Sequence, residues 1–104
     1  MSAVKGVFDE IDGRLKADPA KSKEIDGSFR FNVTGNGAGT YVVDTRAAEV
    51  RTNDEPGDVT ITVDGDDLVA IKDGSLDAMQ AFMVGKIQVD GDFSLAMKLQ
   101  TILA

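Results

Sequence analysis

The second half of the chain decides the fold, with DVTITV at 58–63, AFMVGKI at 81–87 and GDFSLAMKLQ at 91–100. In the first stretch Val, Ile and Val alternate with Asp or Thr, which is the period of a half-buried strand. The second stretch ends a short helix and begins another strand around Ile87 and Val89. The third predicts a terminal helix that Asp92 caps.

Between the two strands the apolar period becomes helical, at Gly65-Asp66-Asp67. Carboxylates at this point suit both helix capping and the positive end of the helix dipole. Gly74 is a natural stop for this helix, and a second short helix is predicted from Ser75 to Val84, ended by Gly85. The second half therefore reads strand, two helices, strand and helix.

The first half predicts one amphipathic helix and the rest of the sheet. Apolar residues at helical spacing run from Val4 to Leu15, with Ser2 as the cap and Asp18-Pro19 as the stop. A polar connection from Asp18 to Gly27 follows. The predicted strands are Phe29–Thr34, a returning strand from Tyr41 and a weaker strand at Glu49–Thr52, with a glycine-rich turn at 35–39 and a second turn at 54–57. This order predicts one α+β domain over residues 1–104, with helices covering one face of a largely antiparallel sheet.

Composition excludes several functional classes. The 104 residues carry a net charge of −7, which disfavours binding to the phosphates of nucleic acids. The absence of His and Cys removes imidazole bases, thiol nucleophiles and the usual zinc ligands. The first ten residues, which include Asp9 and Glu10, do not form a secretion signal, and no run reaches membrane-spanning length. These features predict a cytoplasmic protein without a metal or cofactor.

Several local motifs resemble binding or catalytic sites, but each is better explained as a turn or a helix cap. The glycines at 35, 37 and 39 are not followed by the helix start and Lys of a phosphate loop, so they indicate a tight turn. The acidic groups at 64–67 and 90–92 lack the alternating oxygen donors of a calcium loop and indicate helix caps. Neighbouring carboxylates such as Asp54-Glu55 do not converge on a site. No enzyme activity is predicted.

The same stretches resemble the sterol carrier protein 2 family. AFMVGK at 81–86 and LAMKLQ at 95–100 match its most specific patterns, while 58–63 and 27–31 match two of its strands. The resemblance implies five strands packed under helices, with an apolar tunnel between them that holds a fatty acyl chain, acyl-CoA, phospholipid or sterol. It implies a non-specific lipid carrier that contacts membranes transiently, as a monomer or weak homodimer.

The resemblance also assigns candidate lipid-binding residues. The sheet would contribute Phe31, Val33, Tyr41, Val43 and Ile61, and the helices Phe8, Ile11, Leu15, Phe82, Met83, Leu95, Leu99 and Ile102. Three methionines, at 79, 83 and 97, provide adaptable side chains in the same helices. Arg14 and Lys23 would meet a lipid head group.

Two departures from the family pattern concern the sterol ligand and the peroxisomal setting, and the length of the terminal helix leaves a functional alternative open. Tyr41 stands where many members carry Trp, and the chain ends Ile-Leu-Ala instead of with a peroxisomal Ser-Lys-Leu address. A terminal helix that ends soon after Gln100 would leave the tunnel mouth open and expose apolar surface. The alternative is therefore a non-catalytic interaction or dimerisation module that uses the same apolar groove.

Overall fold

The computed structural model describes residues 3–98, which form five helices and five strands. The helices are α1 (Ala3–Ala17), α2 (Pro19–Ile25), α3 (Gly65–Asp73), α4 (Ala78–Met83) and α5 (Phe93–Ala96). The strands are β1 (Ser28–Thr34), β2 (Gly39–Asp44), β3 (Glu49–Arg51), β4 (Val59–Asp64) and β5 (Ile87–Gly91). The predicted α+β class and the five strands are confirmed.

The strands form one sheet in the order β3-β2-β1-β4-β5. The pair β1–β2 forms the predicted antiparallel hairpin. The pairs β2–β3 and β4–β5 are also antiparallel, in agreement with the predicted largely antiparallel sheet, whereas β1 and β4 are parallel, with Phe29 opposite Val59. The parallel pair arises because the chain leaves the sheet after β3 and returns on the other side of β1. As a result β3 and β5 lie at opposite edges.

The two faces of the sheet differ sharply in polarity. Alternation in β1 and β4 directs Phe29, Phe31, Val33 and their β4 partners to one face, where they are buried. Buried residues from α1, α3, α4 and α5 pack with this face in a single core cluster. The opposite face carries Arg30, Arg51 and their carboxylate partners. Every candidate lipid contact of the sheet therefore lies on the helix-covered face.

Helix α2 does not follow from the sequence pattern, which predicts a polar connection at these residues. Asp18 and Pro19 begin a helix as well as ending one: the Asp18 side chain accepts a hydrogen bond from the Lys21 N–H at 3.1 Å, and Pro19 occupies the first turn. The Ser22 hydroxyl is buried and donates to the Leu15 carbonyl at 3.1 Å, which ties α2 to α1. Asp26 then ends α2 with a φ of 51°.

Helix α4 begins later than predicted. The N–H groups of Ser75 and Leu76 donate to the Ala70 carbonyl and complete the end of α3, so the helix cannot start at Ser75. Asp77 caps α4 instead, accepting from the N–H groups of Met79 and Gln80. The predicted stop at Gly74 and the predicted cap at Asp92, which accepts from the Leu95 N–H at 3.1 Å, are confirmed. The predicted cap Ser2 lies outside the described residues.

Ion pairs on the polar face lower the pKa values of two carboxyl groups. Burial alone would raise the pKa of Asp44, but the N–H groups of Ala47 and Arg46 and the Arg51 guanidinium outweigh it, and the net pKa is lowered. Hydrogen bonds from Arg51 lower the pKa of Glu55. Arg51 also pairs with Glu49 at 2.7 Å, so one guanidinium holds three acidic partners.

These shifts predict an acid-labile fold. A carboxyl whose pKa is lower in the folded state stabilises the protein above its unfolded pKa, and the contribution is lost as pH falls through the folded value. The urea concentration at the unfolding midpoint should therefore stay constant near neutral pH. It should decrease once the pH drops below the ordinary pKa values of these groups, 4.5 for Glu and 3.8 for Asp. The Arg51→Gln variant should show a shallower fall. An equally steep acid transition in that variant would contradict the assignment to this cluster.

Candidate functional site

Most of the predicted tunnel residues form a closed core. Seven of them, together with Leu95, are at most 6% exposed and belong to one cluster, comprising Phe8, Ile11, Leu15, Phe31, Val33, Val43 and Ile61. Phe8 lies between Phe31, at a ring-centroid distance of 5.2 Å, and Tyr41, on which it stacks at 4.1 Å. The structure thus brings these predicted residues together, as packed neighbours.

An apolar row crosses the helix-covered face of the sheet. The strand register places Tyr41 opposite Phe31, Phe31 opposite Ile61, and Ile61 opposite Val89. Three steps between strands of about 4.8 Å each make this row about 14 Å long. It runs from beneath Phe8 to the edge strand β5. The row therefore connects the closed core to the outside of the molecule.

An open apolar depression lies at the β5 end of the row, between α4 and α5. Its cavity volume is about 50 Å³. The lining residues come from α4, β5, α5 and Met97, and comprise Ala78, Met79, Phe82, Ile87, Val89, Phe93, Ala96 and Met97. Phe82 and Phe93 meet across it with ring centroids 5.3 Å apart. None of the lining side chains carries a charge, so the depression can hold only apolar groups favourably.

Two neighbouring residues of α4 have different positions. Phe82, predicted as a lipid contact, is half-buried and lines the depression. Met83, predicted with it, is 78% exposed and is not among the lining residues. Of the lining residues, Phe82 is a predicted lipid contact, and Met79 and Met97 are two of the three methionines that the sequence places in these helices. Strand alternation at Ile87 and Val89, and the apolar residues that follow Asp92, could have identified most of the others.

Leu95 anchors α5 to the rest of the protein. It is 6% exposed and lies over Gly27, where an added Cβ would come within 2.5 Å of Leu95 Cδ1. Gly27 is held in turn by the buried Thr45 hydroxyl, which accepts from its N–H at 2.9 Å. The predicted contacts Leu99 and Ile102 lie outside the described residues.

The predicted head-group residues lie away from the depression. Arg14 pairs with Glu10 at 3.4 Å on α1, and Lys23 is exposed on α2; neither lines the depression. Lys72 from α3 also pairs with Glu10, at 3.1 Å. The basic residues on the segments that form the depression are Lys86 and Lys98 instead, and the Lys98 ammonium donates to the Ile25 carbonyl at 3.3 Å.

A larger cleft, of about 540 Å³, lies at the ends of α2 and α5 but has a different character. Four carboxylates and two cations line it, namely Glu24, Asp26, Asp58, Asp92, Arg46 and Lys98. The Arg46 guanidinium forms ion pairs with the carboxylates of Asp26, at 2.8 Å, and Asp58, at 3.0 Å. The excess of acid makes this cleft unsuitable for an anion, and its ionised groups make it unsuitable for an acyl chain.

Two other kinds of site are absent from the described part of the chain. Residues 3–98 contain no group of His, Asp or Glu side chains arranged to hold a metal ion. Within the same residues no helix is both long enough and apolar enough to cross a bilayer. The apolar depression and the row behind it are therefore the candidate site.

Comparisons with known proteins agree on one family. The profile described as "SCP-2 sterol transfer family" matches residues 8–104. The chain is 33% identical over 102 residues to non-specific lipid-transfer protein-like 1 of Caenorhabditis elegans, covering 93% of this chain and 86% of that protein. It is 35% identical over 103 residues to sterol carrier protein 2 of Oryctolagus cuniculus, covering 92% of this chain but spanning only 19% of that protein.

A solved structure extends the similarity to the fold. The solution structure of sterol carrier protein 2 from Aedes aegypti, in complex with the C16 fatty acid palmitate, matches with a TM-score of 0.84 and 27% identity. The match covers 100% of this chain and 97% of that one. Since the profile spans nearly the whole sequence and the C. elegans relative is matched over most of its length, the chain belongs to the SCP-2 sterol transfer family.

Proposed function

We propose that this protein is a non-catalytic lipid carrier that binds a fatty acyl chain along the apolar row of the sheet. The observation that carries the proposal is the continuity of the row Tyr41-Phe31-Ile61-Val89 with the open depression. The acyl chain enters between Phe82 and Phe93 and extends over β5 toward β4. The Aedes aegypti relative in complex with palmitate supports the choice of a fatty acyl ligand.

Binding on this scheme requires α4 and α5 to separate from each other. The depression has a volume of about 50 Å³, whereas pockets for small ligands usually measure about 300–1,000 Å³. The two helices have six and four residues, and each is capped by one Asp side chain. Gly85, with a φ of 82°, joins α4 to β5. Such short elements can move without breaking the sheet. When they separate, the acyl chain takes the place of the contact between the Phe82 and Phe93 rings.

The physical basis of selectivity is the removal of methylene groups from water. Each buried CH₂ contributes about 0.8 kcal/mol, which is about a fourfold gain in affinity. Because the lining side chains carry no charge, the site has little means of recognising a particular head group. Acyl-CoA, phospholipid and sterol are therefore proposed as further ligands, which compete with the free fatty acid.

The test is native mass spectrometry of the purified protein together with analysis of its organic extract. We expect a fatty acid or phospholipid to co-purify at a ratio near one per chain. In a titration series of saturated fatty acids, affinity should rise about fourfold for each added CH₂ and then level off once the chain exceeds the site. A protein that carries no lipid and does not bind palmitate would refute the carrier function.

A further inference from the structure

The two edges of the sheet differ in what occupies them. Strand β3 has three residues, and its Val50 N–H donates to the Asp12 carboxylate of α1 at 2.8 Å, so a helix side chain occupies that edge. Strand β5 has five residues, and within residues 3–98 it pairs with β4 alone. A row of unpaired N–H and C=O groups at a sheet edge is a template for another strand. The outer edge of β5 is therefore a candidate interaction surface.

The outward groups of β5 belong to alternate residues. Asp92 lies directly after β5, opposite Asp58 in the register, and its N–H donates to the Asp58 carbonyl at 3.4 Å. Because hydrogen-bonded pairs alternate along an antiparallel ladder, residues 88 and 90 bond to β4, and the N–H and C=O groups of Ile87 and Val89 point away from the sheet. No hydrogen bond from the described part of the chain reaches these outward groups.

The polar face of the same strand carries two opposite charges. Lys86 directly precedes β5 and Asp90 lies within it, with Gln88 between them; all three are exposed, and alternation directs them to one face. At about 3.4 Å per residue, Lys86 and Asp90 are about 14 Å apart, too far to pair with each other. Neither of them forms an ion pair with any residue in the range 3–98. Both charges are thus free to meet charges on another strand.

We propose that two copies of this chain pair through their β5 strands, antiparallel and around a two-fold axis at Gln88, so that one continuous sheet crosses both copies. In this register Ile87 of each copy lies opposite Val89 of the other, and the outward N–H and C=O groups of both residues form hydrogen bonds. Lys86 of each copy then faces Asp90 of the other in a non-hydrogen-bonded pair, where cross-strand side chains approach most closely. The residues around β5 are therefore complementary to themselves in both hydrogen bonding and charge.

The same pairing covers apolar surface on the other face of β5. Val89 ends the apolar row of the sheet, and Phe93 and Met97, which line the depression at this edge, are 49% and 50% exposed. Since a two-fold axis perpendicular to the sheet keeps the helices of both copies on one side, the two depressions come together there. Removal of these side chains from water opposes the repulsion between two copies of net charge −7. The interface is small, so we expect association at about 10–100 μM protein.

The experiment is sedimentation velocity of the full chain over a concentration series from about 1 to 500 μM. Lys86→Asp and Asp90→Lys each turn both attractive pairs of the dimer into repulsive ones and should weaken association at least about tenfold. Mixed in equal amounts, the two variants should associate again, because one carries two acidic groups at these positions and the other two basic groups. The matched control is Lys21→Asp, an exposed residue of α2, which should change association by less than about twofold.

Amide hydrogen exchange tests the pairing at single groups. In the dimer the Val89 N–H is hydrogen-bonded, so its exchange should slow at least about tenfold when the wild-type protein is concentrated from the monomeric to the dimeric range. The slowing should be absent in Lys86→Asp. The Gln88 N–H, which bonds to β4, is the internal control and should exchange slowly at every concentration.

The outcomes decide between this pairing and other uses of the edge. Association that each single variant weakens and their mixture restores would support it. A wild-type protein that stays monomeric over the series, or association that both single variants leave unchanged, would overturn it. Association that mixing does not restore would also overturn it, because the contact would then not bring Lys86 opposite Asp90. None of these outcomes bears on palmitate binding, which the carrier function predicts for monomer and dimer alike.

Discussion

Replacing Phe8 with alanine is expected to lower the free energy of unfolding by about 3–5 kcal/mol, the usual cost of removing a buried aromatic ring. Phe8 is 2% exposed and joins α1 to the sheet through the edge contact with Phe31 and the stack on Tyr41. Its removal leaves a cavity bordered by aromatic rings that cannot readily collapse. Urea denaturation at neutral pH, followed by far-UV circular dichroism, measures the change.

Two further variants test whether the effect comes from this packing. Phe8→Leu keeps much of the apolar volume and should cost about 1.5 kcal/mol or less. Asp9→Ala, on the next residue of α1, removes only the exposed pair with Lys5 at 3.0 Å and should cost less than about 0.5 kcal/mol. A loss in Phe8→Ala no larger than that in Asp9→Ala would show that the α1–sheet packing is misplaced. Small domains have only about 5–15 kcal/mol of stability, so Phe8→Ala can lose its fold altogether. In that case Phe8→Leu still provides a measurable change in the free energy of unfolding.

The layout of the sheet could be predicted from local patterns because burial on one face imposes a period of two. Val59, Ile61 and Val63 alternate strictly with polar residues, and the structure buries all three on the helix-covered face. The parallel pairing of β1 with β4 could not be predicted in this way. It depends on where the chain re-enters the sheet after β3, and no local period records that.

Helix α2 shows how one signal can have two meanings. Asp18-Pro19 predicts the end of α1, and α1 does end at Ala17. The same Asp then caps a new helix, because Pro is favoured in a first turn, where its missing N–H is not needed. In the segment that follows, Ser22 is buried and Ile25 is half-buried while the other residues of α2 are exposed, so it lacks the apolar period that predicts an amphipathic helix.

The sequence predicts which apolar residues face inward, but not which of them fill the core and which line the depression. Alternation and helical spacing identify the apolar residues that face inward, and the structure places eight of them, including Leu95, in the core. Whether an inward residue fills the core or lines an opening depends on the lengths of the helices above it. Because α4 and α5 are short, Val89 and Phe93 border open space, whereas Ile61, in register with Val89, is covered.

The last expected result concerns the depression itself. Phe82→Asp should reduce the affinity for palmitate about 30-fold, because a carboxylate beside an acyl chain costs about 2 kcal/mol when its water is displaced. Phe82 lines the depression and meets Phe93 across it, so a charge there lies where the chain enters. Isothermal titration calorimetry with palmitate measures the loss.

Val84→Asp provides the matched control two residues along the chain. Val84 is 62% exposed and does not line the depression, so the same change in charge should leave palmitate affinity within about twofold of wild type. Circular dichroism and urea denaturation must show both variants folded, which is expected because Phe82 is only half-buried. If the two variants bind palmitate equally well, the entrance does not lie between α4 and α5. The acyl chain would then have to reach the row Tyr41-Phe31-Ile61-Val89 from the α1 side, and Phe8 instead of Phe82 would be the residue that it displaces.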